Sequence, residues 1–270
     1  MKLPKYLKLH LEGGIGDCIK VITCNFPLQS LYNNYGIQTF VTYGGEHYND
    51  CGWEKILQTE LLDLCKPFIY VNREVFAKIN CPTVSDFFRQ PKPFSVDTSK
   101  NLPLELTAEI KEPAFGKRNI GIQLDSNDGR KKFSLDKWNL VINKILKQHK
   151  NTNIYLFGAP SERGRLDKAF EPNDRLHNTC GNTLAQSLKL MSKMNLFISP
   201  DSFSKYVCLC ENVPAILLCA ELSYMTAKDM LETCFKNIYK NDNFKILGLD
   251  PTPVRDINNI SVDAILSHIP

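Results

Sequence analysis

Apolar stretches with strand character alternate with stretches of helical spacing along most of the chain. Tyr6 to Leu11 reads as a strand and is followed by the glycine-rich turn Glu12-Gly13-Gly14-Ile15-Gly16-Asp17. A helical pattern then runs from about Cys18 to Tyr35. Strand, glycine turn and helix together open a parallel βα unit. Ile37 to Tyr43 is a second strand, rich in β-formers and closed by Gly44-Gly45. Glu54 to Cys65 carries leucines and isoleucine at helical spacing, and Phe68 to Val71 is a third strand candidate. From Asn80 to Lys117 the character changes: prolines stand at 82, 91, 93, 103 and 113, and periodicity is weak. A linker and its approaches belong there, with Pro103 to Ile110 as a candidate edge strand.

The pattern is cleaner in the second half. Asn119 to Leu124 and Asn153 to Gly158 read as strands. Ser134 to Lys150, Ser161 to Phe170 and Thr183 to Met194 read as helices, with Ser134 and Thr183 as N-caps. Asn195-Leu-Phe-Ile-Ser-Pro is a buried strand that ends on Asp201-Ser202. A helix-like run to Val213-Pro214 follows, and then a second buried strand, Ala215 to Cys219. A carboxylate at the carboxyl end of a parallel strand lies where open α/β sheets bind ligands. Ser261 to Ile269 forms a terminal amphipathic helix. The alternation of strands and helices predicts parallel sheets covered by helices.

Composition narrows the function classes. With 270 residues, 43% hydrophobic and 23% charged, the chain is ordinary globular material with room for two modest cores. The formal charge of +4 suits phosphate-bearing ligands without requiring nucleic acid. No stretch approaches the roughly 20 apolar residues of a membrane helix, and the first residues lack a secretory signal, so a cytoplasmic location is expected. None of the ten cysteines forms Cys-x-x-Cys, and Cys208, Cys210 and Cys219 lie in apolar runs, as packing thiols do. The histidines, at 10, 47, 149, 177 and 268, lack zinc-site spacing. No metal and no cofactor are expected.

Three turns carry candidate chemistry. Gly14 and Gly16 let the backbone approach a ligand at an electropositive helix start, and Asp17 there is either an N-cap or a general base. The loop from Asp125 to Trp138 brings Ser126 and Lys131 to the end of a strand. It is either a diphosphate cradle or a solvated loop anchored by Trp138. Gly158-Ala-Pro-Ser-Glu162 puts an acid at the next helix start, suited to ribose hydroxyls or simply to the helix dipole. Gly181 fits the turn before Thr183. The Gly-x-Gly-x-x-Gly fingerprint of a Rossmann oxidoreductase is absent.

These segments, in this order, resemble glycosyltransferase family 9, the ADP-heptose:lipopolysaccharide heptosyltransferases. The resemblance rests on Gly16-Asp17 and on Lys131-x-Phe-Ser-x-Asp-x-Trp138, which is similar to the family's Lys-x-Trp-Pro-x-Glu-x-Trp. It continues through Phe157-Gly-Ala-Pro-Ser-Glu162, Cys180-Gly181-Asn-Thr-Leu184, and Asp201-Ser202 to Val213-Pro214. It spans nearly the whole chain but is thin between residues 45 and 115. The resemblance implies the GT-B architecture, an α/β fold of two Rossmann-like domains whose parallel sheets face across a cleft. Residues 1–115 would bind the acceptor and 116–252 the nucleotide sugar, with 253–270 as a terminal helix packing back on the first domain. It further implies Asp17 as the base and Lys131 and Ser126 on the donor phosphates. Glu162 would take the ribose, and Asp201-Ser202 the phosphate side of the pocket, with Gly14, Gly16 and Gly181 in the donor-binding turns.

Two departures bear on specificity. The family reads Asp-Ser/Thr-Gly-x-x-His, whereas this chain reads Asp201-Ser202-Phe203-Ser204-Lys205-Tyr206. Phe203 and Tyr206 therefore change the pocket, and Lys205 either restores positive charge or points outward from its helix. The leading expectation is an inverting, metal-independent transferase that moves heptose, or another hexose or pentose, from a nucleotide-diphosphate donor. Its acceptor would be a hydroxyl of a lipopolysaccharide core or surface glycan. A modified nucleic-acid base or a protein side chain is the alternative acceptor, with Lys117-Arg118 and Arg130-Lys131-Lys132 as phosphate-attracting residues. A non-catalytic nucleotide-sugar-binding protein is the competing class.

Overall fold

A computed structural model of the chain describes residues 3–12, 15–21, 28–44, 68–89, 108–113, 117–124, 126, 131–236 and 238–270. The chain divides into two compact units, Met1–Glu109 and Ile110–Pro270. The division falls a few residues before the boundary expected from the proline-rich stretch.

In the first unit, β1 (Tyr6–Leu11), β2 (Gln38–Tyr43) and β3 (Phe68–Tyr70) form a parallel sheet in the order β1-β2-β3. Along β1 the buried positions alternate, with Leu7, Leu9 and Leu11 inward. This is the period-2 signature of a strand with one apolar face. Helices α1 (Ile15–Lys20) and α2 (Leu28–Tyr35) occupy part of the span expected as one helix, and they bury Cys18, Ile19, Leu28 and Leu31. Helix α3 (Arg73–Lys78) is capped by Asn72, whose side chain accepts from Val75 N at 2.9 Å. Residues 80–89, expected to begin the linker, instead complete this unit. Lys8 N donates to Pro82 O at 3.0 Å, and α4 (Val84–Arg89) buries Val84 and Phe87. The helix expected over Glu54 to Cys65 lies outside the described residues, as does 103–107 of the candidate edge strand.

The second unit holds a six-stranded, wholly parallel sheet in the order β6-β5-β4-β7-β8-β9. The strands are β4 (Arg118–Gln123), β5 (Thr152–Phe157), β6 (Leu176–Asn178), β7 (Leu196–Pro200), β8 (Ala215–Leu218) and β9 (Phe244–Leu247). Helices α5 (Leu135–Gln148), α6 (Arg163–Ala169), α7 (Leu184–Met191), α8 (Ser204–Cys210) and α9 (Ala227–Thr233) alternate with them, and α10 (Val262–Leu266) ends the chain. The central strands β5, β7 and β8 are buried at every residue, as strands covered on both faces must be. From β4 the chain winds outward through β5 and β6, then returns to the other side of β4 as β7 and continues to β9. The winding direction therefore reverses between β4 and β7.

Cap chemistry sets the helix starts. The Ser134 side chain accepts from Lys137 N at 3.4 Å. Thr183 and Gln186 form a reciprocal capping box, with 3.2 Å and 3.0 Å bonds. Trp138 is fully buried on α5, donates from Nε1 to Leu124 O at 3.1 Å, and meets the Phe133 ring edge-on at 5.0 Å. The terminal helix α10 packs on α5 within this second unit. Ile265 and Ile269 join its core, and Lys144 pairs with Asp263 at 2.8 Å.

The β4–β7 junction is tight. Gly121 is the register partner of Phe197, and a Cβ on Gly121 would stand 2.5 Å from the Phe197 ring. The ring fills the space a side chain would take. Gly121→Ala should overpack the junction and lower stability by about 1–3 kcal/mol. A shifted urea midpoint with unchanged m-value checks this, and an unshifted midpoint would contradict it.

Candidate active site at the sheet switch point

The reversal between β4 and β7 is where open parallel sheets form a ligand crevice, outside the carboxyl ends of the strands. Strand β7 delivers Asp201 to that point, and Asp201 N extends the β8 ladder by donating to Leu218 O at 3.1 Å. The carboxylate is thereby carried into a place where it is only 9% exposed. Such a charge requires partners. Lys131 Nζ, from the loop after β4, lies 2.7 Å from Oδ2, and Lys205 Nζ, from the first turn of α8, bonds Oδ1. Beside them Gln123 Nε2, at the end of β4, donates to Ser202 Oγ at 2.9 Å. Ser204 Oγ donates to Ser199 Oγ at 2.9 Å, pinning α8 to β7.

Lys205 thus turns inward. It is 6% exposed, and its ammonium stands 4.4 Å from the Phe235 ring centroid and 5.0 Å from that of Tyr206. A cation in the first turn of a helix opposes the macrodipole, so its place depends on Asp201. Burial pushes the Asp201 carboxyl up, but the Lys205 and Lys131 charges and their hydrogen bonds outweigh it and hold the group below its ordinary value. Burial pushes Lys205 down, yet the Asp201 carboxylate raises it above the ordinary lysine range. The cluster carries two cations and one anion, which leaves one positive charge in excess.

A cavity of about 540 Å³ opens beside the pair, a volume in the range of small-molecule sites. Lys131 and Asp201 form one wall, and Cys219, Glu221, Tyr224 and Arg255 contribute to the others. Glu221 Oε1 accepts from Ala227 N at 3.0 Å, which fixes the loop before α9. The Tyr224 side chain is 73% exposed. Burial pushes the Cys219 thiol far up, so it remains protonated and acts as an apolar wall rather than a nucleophile.

The position of Lys131 is itself fixed from the far end of the chain. Asn258 Oδ1 accepts from Ser134 N at 2.8 Å, and its Nδ2 donates to Lys132 O at 3.0 Å. Lys137 Nζ adds a bond to Ile260 O at 3.1 Å. Asn258, Glu221, Tyr224 and Arg255 were not singled out from the sequence. For Glu221 and Tyr224 the place of 219–226 directly after a buried strand was a signal, by the same rule that singled out Asp201; Arg255 and Asn258 had none.

The remaining candidates sit elsewhere. Glu162, at the carboxyl end of β5 in a 3-10 turn, accepts from Arg165 Nε at 2.6 Å and is not part of the cavity wall. Gly181, after β6, has φ +123°, and a Cβ there would press on Arg163 Nη1 at 3.1 Å, so the turn requires glycine. Ser126 is half-buried beyond β4. Phe203 is half-buried at the head of α8 in an ordinary helical conformation, φ −59° and ψ −28°. In the first unit, Gly16 and the backbone of Asp17 lie in α1. Gly14 and the Asp17 side chain lie outside the described residues.

Two parallel α/β units, one of them a six-stranded sheet whose reversal brings Lys131 and Asp201 to the wall of a crevice, make up the fold of the GT-B glycosyltransferases. Residues 66–220 match the family model described as glycosyltransferase family 9 (heptosyltransferase), and the chain belongs to that family. No curated protein matches it. Among solved structures it is similar to the E. coli ADP-heptose LPS heptosyltransferase II, at 12% identity and TM-score 0.62, over 98% of this chain and 97% of that one. The glycosyl transferase family 9 protein from Veillonella parvula aligns at 12% identity and TM-score 0.63, over 99% and 97%. The E. coli heptosyltransferase WaaC with ADP-2-deoxy-2-fluoro heptose aligns at 10% identity and TM-score 0.61, over 98% of each chain. The family is the one its motifs resemble, and the chain is a glycosyltransferase.

The depressed Asp201 carboxyl fixes the sign of an acid dependence. A group whose folded value lies below its unfolded value of about 3.9 contributes stability above that pH and loses it as pH falls through the folded value. Unfolding free energy should therefore drop below about pH 4, and Asp201→Asn should flatten this part of the profile. At neutral pH the same variant strands two lysines and should cost about 3 kcal/mol or more. Urea titrations across acid pH check both, and an equally steep acid limb in Asp201→Asn would remove the assignment.

Proposed function

We propose that this glycosyltransferase moves a sugar from a nucleoside-diphosphate donor to an acceptor hydroxyl, with the diphosphate held at Lys131. The single observation that carries the reading is the cavity beside the β4–β7 reversal, whose wall includes Lys131 held on Asp201. The neighbours support the same donor class, since one is named for ADP-heptose and another was solved with a fluorinated ADP-heptose. The sugar is heptose or another hexose or pentose. The acceptor is a glycan such as a lipopolysaccharide core, with a nucleic-acid base or protein side chain as the alternative, and the reaction takes place in the cytoplasm.

In the reaction, the Asp17 carboxylate takes the proton of the acceptor hydroxyl. The freed oxygen forms a bond to the anomeric carbon as the bond from that carbon to the phosphate oxygen breaks, and the electron pair leaves with the nucleoside diphosphate. Attack opposite the leaving group inverts the anomeric configuration. Lys131 offsets the charge that grows on the departing phosphate, the role a metal ion fills in other transferases, so no metal is assigned. Ser126 and Ser202 add hydrogen bonds on the phosphate side, Glu162, which lies outside the cavity wall, takes a ribose that extends beyond the cavity once released from Arg165, and Gly14, Gly16 and Gly181 shape the turns.

Phe203 and Tyr206, where the family pattern has glycine and histidine, favour one competing reading, a binding protein without turnover. Release of free nucleotide from a panel of nucleotide sugars, with and without glycan acceptors, separates the two. Transfer is expected, with Asp17→Ala lowering kcat by about 10²–10⁴-fold while donor affinity stays close to that of the unaltered chain. Lys131→Ala is expected to lower kcat by about 10²–10³-fold and to weaken donor binding as well. Donor binding without release of nucleotide under any acceptor would establish the binding protein instead.

A further inference from the structure

The two lysines on Asp201 are not equivalent. Lys131 has 30% of its side chain exposed and forms part of the cavity wall. Lys205 has 7% of its side chain exposed, is not part of that wall, and is enclosed by the Phe235 and Tyr206 rings. Each holds a different carboxylate oxygen, Lys131 on Oδ2 and Lys205 on Oδ1. A phosphate entering the cavity meets Lys131 while that lysine is bonded to Asp201. If Asp201 had no second cation, drawing Lys131 away would leave a buried carboxylate uncompensated, which is strongly unfavourable.

We propose that Lys205 is a positioning residue: the standing counter-ion of Asp201 that lets Lys131 exchange its carboxylate partner for a donor phosphate. The inference rests on the donor-site reading above and adds a residue for which the family pattern has no fixed type. Its physical content is an exchange of partners. Without ligand, Asp201 is shared by two lysines. With ligand, Lys205 and Asp201 remain a neutral buried pair, and the full charge of Lys131 faces the diphosphate. Cation–π contact with Phe235 and Tyr206 keeps Lys205 from following, because it is held on two sides by rings and on a third by the carboxylate.

Calorimetric titration of the full chain with ADP, GDP, UDP and CDP tests this. For whichever nucleotide the unaltered chain binds, Lys205→Met should weaken binding about tenfold or more, because Lys131 then becomes the sole cation on Asp201 among the described residues. The double variant Asp201→Asn with Lys205→Met should return affinity to within about threefold of the unaltered chain, because nothing then holds Lys131 back. A merely structural lysine would give no such recovery. Undiminished binding by Lys205→Met, or a double variant as weak as the single one, would overturn the proposal while leaving the donor reading intact. Failure of the unaltered chain to bind any of the four would overturn the donor reading and this inference with it. Should Lys205→Met lack a cooperative melt, the double variant, which buries no unpaired charge at these two positions, decides alone: near-native affinity supports the proposal, and a loss of about tenfold or more overturns it.

Discussion

Everything around the site follows from one buried carboxylate. Strand β7 is covered on both faces, so the residue that leaves it is carried to the rim of the core before it reaches water. Asp201 stands at that point and continues the β8 ladder through its backbone, which denies it the freedom to swing outward. A charge so placed is tolerable only if cations meet both of its oxygens. One cation comes from the loop after β4 and the other from the helix after β7. The Asp201 cluster therefore ties together the two connections that diverge at the reversal of the sheet.

The position of Lys131 depends in turn on a segment far away in sequence. Asn258 accepts from the backbone of Ser134 and donates to the carbonyl of Lys132, so it fastens both ends of the short stretch between the lysine and α5. Its own place is set by Asp256, whose Oδ1 accepts from Asn258 N at 2.8 Å, and by the neighbouring Ile257 and Ile260, which lie in the core with α5. Trp138 anchors the same stretch from the opposite side through its bond to Leu124 O at the end of β4. Residues 132–134, which lead from the lysine into α5, are thereby fixed at both ends.

Much of this was legible in the residues, and the reasons for what was not are physical. Fully buried parallel strands announce themselves as continuous apolar runs, so β5, β7 and β8 were readable, as were the helices with Ser134 and Thr183 at their caps. The edge strands β6 and β9 were not. Leu-His-Asn and Phe-Lys-Ile-Leu are too short and too polar to separate from loop without knowing what they pair with. Helix α4 was hidden in a proline-bearing stretch because tertiary contact, through Pro82 O and Lys8 N, outweighs its weak periodicity. In the site, Asp201 and Lys131 could be found from their places at strand ends. The inward turn of Lys205 could not, because a lysine four residues from an aspartate pairs equally well on an exposed helix face.

The departures from the family pattern make sense as a set rather than singly. The residue at 203 adopts ordinary helical angles, so nothing in the backbone there requires glycine, and Phe203 is accommodated without strain. What changes is the chemistry beyond it. Tyr206 stands where the pattern has histidine, and its ring lies 5.0 Å from the Lys205 ammonium, with Phe235 closer still. A protonated imidazole would repel a buried ammonium, whereas the face of an aromatic ring attracts it. Lys205, Tyr206 and Phe235 thus form one device that brings a permanent positive charge to the far side of Asp201.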